Sequence, residues 1–219
     1  MSARKSYQEQ LEELQQEVLK MGTLVEQTIF NAVKSLKERN EELAQQIVDG
    51  DDFIDEYQIK IEDFCVKLLA LQQPMASDLR VISTAMKIAV DLERMADHAV
   101  DIAKVTLRLA GQPLIKPLID VPRMAEIAQK MIRESLEAYV HHDISRVEAL
   151  IGYDHEVDAL YNQVFRELLT FMMEDPRTIR QATQLLFVAR YLERVADHAT
   201  NLGEAIYYMV TGERKDLNC

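Results

Sequence analysis

The chain has 219 residues, 48% apolar and 28% charged, which is enough for one or two domains with a real hydrophobic core and reads as an ordinary soluble globular protein. Its 37 acidic and 25 basic residues leave a net charge of −12, and no Lys/Arg cluster offers a surface for a nucleic-acid backbone or an acidic membrane. Gly and Pro are scarce (6 and 5) and Met is common (10), so the expected class is all-α.

Residues 7 to about 39 place Leu11, Leu14, Val18, Met21, Val25, Ile29, Ala32 and Leu36 at helical spacing. Glu12, Glu13 and Glu17 fall outside that row and are expected on a solvated face. Asn40 re-caps the chain for a short piece through Leu43, Ile47 and Val48, which the Asp49-Gly50 turn ends. A second helix is expected over about 51–71, with Ile54, Ile61, Phe64, Cys65 and Leu68 toward the core. It stops at Gln73, because Pro74 disfavours helical geometry in the residue before it. Ser77 or Asp78 should cap a third helix that runs to about Leu109.

Gly111, Pro113, Pro117 and Pro122 then bisect the chain. Beyond them the plan repeats. A helix spans about 122–141 and breaks at His142-Asp143. A short piece leads to Gly152, a helix follows over 153–173, Asp175-Pro176 interrupts, and a last helix runs over about 177–210. The expected organisation is two tandem, internally duplicated three-helix bundles: residues 1–111, a linker at 112–120, and residues 121–219.

The duplication is plainest in Asp91-Leu92-Glu93-Arg94-Met95-Ala96-Asp97-His98, rewritten one hundred residues later as Tyr191-Leu192-Glu193-Arg194-Val195-Ala196-Asp197-His198. Glu and Asp four apart share one helix face. They continue a row of small apolar residues, Ala85 and Ala89 in one copy and Leu185 and Ala189 in the other. Asp51/Asp55 and Asp154/Asp158 repeat the spacing near the start of each second helix. At roughly 1.5 Å per residue, and about 19 residues on either side of the connecting loop, the two pairs of a bundle reach the same height. Four converging carboxylates repel one another and call for a hard cation held by oxygen: Mg, Mn, Fe or Zn, with room for several ions together. Asp101 extends the first set by a turn, and Asn201 extends the second with a neutral oxygen. An acidic pair of this spacing is ordinarily a solvated face, and Arg94 and Arg194 can pair with acids of their own helices. Four such pairs in duplicated positions argue for a cation.

His98 and His198 lie about 100° off the carboxylate face, as ligands at its edge, as supports for a ligand, or as surface residues. The Glu93-to-His98 spacing does not fit the Glu-x-x-His of a di-iron oxidase. The chain carries no glycine-rich phosphate loop, zincin motif or nucleophile elbow. His141, His142 and His155 fall near helix ends and are expected to be exposed. Cys65 and Cys219 form no metal motif, and are expected as one buried and one exposed thiol of a reducing compartment. Arg4-Lys5 leads into Gln/Glu-rich helix and not a signal peptide, and no run of 18 apolar residues occurs, so the expected location is cytoplasmic, without membrane insertion.

Several stretches together resemble one family. They are Met21-Gly22-Thr23-Leu24-Val25-Glu26, Gln72-Gln73-Pro74-Met75-Ala76-Ser77-Asp78-Leu79-Arg80, Leu92 through Asp97, Met172 through Thr178, and the repeat at 191–198. In these the chain is similar to the PhoU family of bacterial phosphate-transport accessory and regulatory proteins. The resemblance implies two tandem three-helix bundles related by a pseudo-twofold. It also implies a mono- or multinuclear metal site in each, held by Asp51, Asp55, Glu93 and Asp97, extended by Asp101, and by Asp154, Asp158, Glu193 and Asp197, extended by Asn201. It implies, too, a non-enzymatic negative regulator of phosphate uptake and of the phosphate-starvation response. Such a regulator would contact the ATPase subunit of the phosphate ABC importer and a sensor histidine kinase, and would form a homodimer. Two other readings compete. One is a metal-dependent phosphohydrolase, with His98 or His198 as its acid–base group. The other is a purely structural bundle with solvated acids.

Overall fold

The computed structural model of the chain describes residues 2–72 and 74–217. Among these the chain forms seven α-helices: α1 (Ser2–Glu38), α2 (Glu41–Asp49), α3 (Asp51–Gln72), α4 (Ala76–Arg108), α5 (Asp120–His141), α6 (Ile144–Glu174) and α7 (Ile179–Thr211). A single 3₁₀ turn, Pro176–Thr178, leads into α7. The expected end of α3 at Gln73 and the thiol of Cys219 lie outside the described residues.

The breaks have local causes. Arg39 takes a left-handed φ of 56° after α1, and the Asn40 side chain accepts the Leu43 N–H at 2.9 Å to start α2. In the second half His142 takes the same φ of 56°, and Asp143 accepts the Ser145 N–H to start α6. Asp175 accepts the Arg177 N–H at 3.0 Å and starts the 3₁₀ turn with Pro176 at its first position.

Two expectations are corrected. Helix α4 begins at Ala76 after Met75, whose side chain makes no capping bond, so Ser77 and Asp78 lie inside the first turn. A carboxylate at Asp78 suits the positive end of the helix there, without capping it. Gly152 does not interrupt its helix either, since α6 runs unbroken from Ile144 to Glu174. A lone Gly weakens a helix by about 1 kcal/mol without ending it, and Ile151 and Tyr153 on either side are ordinary helix residues. Gly50 does end α2, because Asp51 and Asp52 directly after it open the next helix.

Helices α1 to α4 make one bundle and α5 to α7 the other, with the hydrophobic core running unbroken through both. All eight apolar residues of the α1 row are buried in it. The halves join along α4 against α7 and α1 against α5. Across the first seam Thr84 Oγ1 donates to Ala205 O at 3.4 Å and Arg80 Nε to Met209 O at 3.0 Å, while Arg108 reaches Gln184 at the far end. These pairs run in opposite senses, so α4 and α7 are antiparallel. Buried alanines at 85, 89, 96, 99 and 103 on α4, and at 182, 189, 196 and 199 on α7, permit the close approach. The α1–α5 seam is tight as well. Gly22 lies so close to Leu136 that a Cβ there would stand 2.1 Å from Leu136 Cδ1.

Glu17, expected on a solvated face, is buried. It is held by Lys20 at 2.8 Å, by the Tyr57 hydroxyl at 2.8 Å and by Lys60. The Lys20 and Lys60 ammonium groups hold its carboxyl down at about 2, against an ordinary 4.5. Glu12 and Glu13 are exposed as expected.

Candidate functional site

Each bundle presents its two acidic pairs where α3 meets α4, and where α6 meets α7. In the first bundle Asp51, Asp55 and Asp97 each offer a carboxylate oxygen within 4.8 Å of the other two. Asp51 opens α3, Asp55 follows one turn later, and Asp97 comes from the middle of α4. The row that carries Glu93 and Asp97 continues Ala85 and Ala89, which are wholly buried, so these carboxylates are held at the margin of the core.

That placement leaves its mark on their acidity. Burial pushes the Asp51 carboxyl up, and Asp55 and Asp97 push it further. Burial and then Asp97 raise Glu93, against the opposing charge of Arg94. Asp101 is raised by burial and by Asp97, with Lys104 opposing. Arg94 bridges Asp97 at 2.9 Å and Glu93 at 3.4 Å, with more than half of its side chain exposed. One oxygen of Asp51, Oδ1, is buried with no hydrogen-bond partner.

The second bundle repeats the arrangement with stronger perturbation. Glu193 is raised to about 7 by burial and by Asp197, Arg190 opposing and Asp158 and Asp154 adding. Asp154 is raised to about 6 by burial, Asp158 and Asp197. Burial also raises Asp197, with Asp158 adding. Arg190 pairs with Glu193, whose Oε2 is nonetheless buried without a partner. Asn201 sits half-buried on α7 one turn beyond Asp197. Among the described residues, only the first bundle brings three ligand atoms within 4.8 Å.

Both donor sets are all-oxygen, short of positive charge, and each keeps an orphaned buried carboxylate oxygen. Buried carboxylates without partners are costly, and a hard cation resolves that cost by satisfying several oxygens at once. The residues present therefore fit a carboxylate-bound metal ion.

The histidines go elsewhere. His98 and His198 turn into the α4–α7 seam, their ring centroids 5.8 Å apart, where the two halves meet. His198 Nδ1 lies 2.9 Å from Asp91 Oδ1. At the position related by the duplication His98 stacks on Tyr191, at 5.7 Å and 19°. Burial, His198 and Arg194 hold His98 down at about 4. A neutral, stacked imidazole in a seam is poorly placed to exchange protons beside the carboxylates, which argues against His98 as the acid–base group of a hydrolase. Sequence reasoning had passed over Asp91, the buried partner of His198; its signal was a carboxylate where the second copy has Tyr191. His141, His142 and His155 are exposed, and Cys65 is buried, its thiol pushed up to about 12.

A family model described as the PhoU domain matches the chain twice, over residues 18–106 and 121–206. The chain belongs to the PhoU family. It is 42% identical over 216 residues to a phosphate-specific transport system accessory protein PhoU homolog of Clostridium acetobutylicum, covering 98% of this chain and 99% of that one. It is 43% identical over 204 residues to the homolog of the same description from Aquifex aeolicus, covering 93% and 92%. The crystal structure of PhoU from Pseudomonas aeruginosa superposes with a TM-score of 0.89 at 36% identity, covering 94% of this chain and 100% of that one. The phosphate transport system regulatory protein PhoU from Streptococcus pneumoniae gives 0.89 at 34%, covering 96% and 99%. The all-α, paired-bundle architecture is thus that of the PhoU fold, and PhoU-family proteins are regulatory accessory proteins, not catalysts.

Proposed function

We propose that this PhoU-family phosphate-regulatory protein acts as a negative regulator of phosphate uptake and of the phosphate-starvation response, through protein contact and without catalysing a reaction. Its contacts would be the ATPase subunit of the phosphate ABC importer and the cytoplasmic part of a phosphate-sensing histidine kinase. Two relatives' descriptions, an accessory protein and a regulatory protein of phosphate transport, support that reading. So does the lack, among the described residues, of any helix long and apolar enough to cross a membrane; the partners would be met from the cytoplasm. The protein would act as a homodimer of chains whose units are residues 1–111 and 121–219, joined by 112–120.

Within this reading each bundle holds metal. Asp51, Asp55, Glu93 and Asp97, with Asp101, would hold it in the first; Asp154, Asp158, Glu193 and Asp197, with Asn201, would hold it in the second. The ions, Fe, Zn, Mn or Mg, would tie α3 to α4 and α6 to α7 by neutralising the carboxylates. The observation that carries this is the convergence of Asp51, Asp55 and Asp97 within 4.8 Å around a buried, unpartnered Asp51 oxygen. Elemental analysis of the protein purified without added metal tests it, together with capture of the importer ATPase and the kinase fragment by metal-loaded and chelated protein. Two or more ions per chain and metal-dependent capture are expected. Fewer than about 0.2 equivalents, with no uptake on titration, would refute the metal assignment.

A further inference from the structure

Outside the acidic clusters, a reversal of this chain's charge lies at one end of the α4–α7 seam. A cleft of about 280 Å³ opens there between the first turns of α4, the end of α7 and the segment that follows it. Lys87, Arg214 and Lys215 line it, with the hydroxyl-bearing Ser83 and Tyr208 and a single carboxylate, Glu204. On a chain with 37 acids and 25 bases, three cations against one acid is the inverse of the average surface. Glu204 is already engaged, accepting the Leu217 N–H at 3.1 Å. Lys215 is shared with Glu148 at 3.0 Å. Among the described residues neither Lys87 nor Arg214 forms an ion pair. Arg214 lies over the Tyr208 ring at 5.7 Å, which holds its guanidinium at the cleft. A fourth cation, Arg80, is anchored through Nε to Met209 O at 3.0 Å, its guanidinium 3.8 Å from the Cβ position of Gly212.

The cleft is built by the segment after α7, which turns back at Gly212, with φ 78°. Leu217 is buried, and its side chain reaches to within 2.9 Å of where a Gly203 Cβ would stand. Arg214 and Lys215 are positioned by that anchor. The duplication keeps cations at the other end of the seam, with Lys104 in place of Glu204 and Arg180 in place of Arg80, but changes the residues that line this cleft. One hundred residues on from Lys87 stands Phe187, and in place of Tyr208 the first half has Arg108, which donates to Gln184 at 3.4 Å.

The geometry points to a binding site for a small phosphate-bearing anion in the cleft of Lys87, Arg214 and Lys215, with Tyr208 as a neutral donor; the Ser83 hydroxyl already donates to Arg80 O at 3.0 Å. A planar guanidinium beside ammonium groups and a phenolic hydroxyl suits a tetrahedral oxyanion with several acceptor oxygens. The inference rests on the phosphate-regulatory reading for its choice of phosphate among oxyanions. It places the anion on α4 and α7, the two helices that also carry Glu93, Asp97, Glu193 and Asp197.

The test is calorimetric titration of the purified full-length protein with inorganic phosphate and, separately, with ATP. The wild type is compared with the double variant Lys87→Glu/Arg214→Glu and with Asp55→Ala/Asp97→Ala, and the metal content of each is measured alongside. Both cleft residues are exposed, so the change leaves the packed core untouched. Expected is saturable binding by the wild type, weakened at least about tenfold in Lys87→Glu/Arg214→Glu and retained in Asp55→Ala/Asp97→Ala, with metal content unchanged in the cleft variant. Saturation by phosphate alone identifies the free ion, and preference for ATP identifies a nucleotide's phosphate chain. Binding that survives the cleft variant, or that is lost instead with Asp55 and Asp97, overturns the proposal, as does no binding of either probe. None of these outcomes bears on capture of the importer ATPase or the kinase, so a failed cleft and a failed regulatory reading are told apart.

Discussion

The acidity of Glu193 sets up the most direct test of the second carboxylate cluster. Its folded-state value of about 7 stands above the ordinary 4.5 because burial and Asp197 oppose its charge. A raised value means that the folded chain holds this proton more tightly than the unfolded chain. The associated stability is therefore fully present below pH 4.5 and lost as pH rises through about 7. At about 1.4 kcal/mol per unit, the loss between pH 5 and pH 8 amounts to about 2–3 kcal/mol. Burial raises Asp154 and Asp197 beside Glu193 as well, so this is the contribution of the cluster and not of one residue. Glu193→Gln removes the titrating group at nearly constant volume. In chelated protein the wild type should lose stability from pH 5 to pH 8 relative to Glu193→Gln by that amount, read by urea unfolding at both pH values. With saturating metal the order at pH 8 should invert, because the wild type then gains ligand-binding free energy that the variant has forfeited. Parallel stability profiles for the two chelated proteins would refute the argument, since they would mean that folding does not raise Glu193.

Three further outcomes follow from the geometry. Asp97→Ala should empty the first bundle and leave the second loaded, roughly halving metal per chain by elemental analysis; an unchanged content would remove Asp97 from the site. Glu17→Ala deletes the carboxylate that joins Lys20, Tyr57 and Lys60. It should cost about 1 kcal/mol at neutral pH, given that both lysines are 61% exposed. Its pH dependence has the opposite sign to that of Glu193: the depressed value gives stability present above pH 4.5 and lost as pH falls through about 2, so the variant and wild type should converge in acid. Gly203→Val drives side-chain atoms into Leu150 and Leu217, whose methyls stand 2.6 and 2.9 Å from the Cβ position. It should cost about 1–3 kcal/mol and free the segment after α7, seen as faster proteolysis beyond Gly212.

Features that depend on neighbours in the chain could be read from the sequence. The Asn40 and Asp143 caps, the Asp175-Pro176 break, the α1 apolar row and the spacing that brings Asp51 and Asp55 level with Asp97 are fixed by helical repeat and cap chemistry alone. What was misread depends on contacts from far along the chain. Glu17 belongs to the polar side of α1 by periodicity, yet Tyr57 and Lys60 of α3 enclose it. Gly152 looked like a break because Gly50 is one, although only Gly50 is followed by the acidic pair Asp51-Asp52 that opens a new helix. The cationic cleft was out of reach altogether, because Arg214 and Lys215 reach Lys87 only through the fold-back that Leu217 anchors.

The placement of the histidines shows how one turn of helix serves both faces of the molecule. Consecutive residues of an α-helix are about 100° apart, so Asp97 on the outer, acidic face commits His98 to the inner one, and Asp197 commits His198 likewise. The duplication then sets the two imidazoles opposite each other, with Asp91 engaging one and Tyr191 the other. Each half thus carries a candidate metal ligand and a seam contact on adjacent residues of the same rigid helix. The acidic face and the buried join between the bundles are, in this chain, two sides of one stretch of helix.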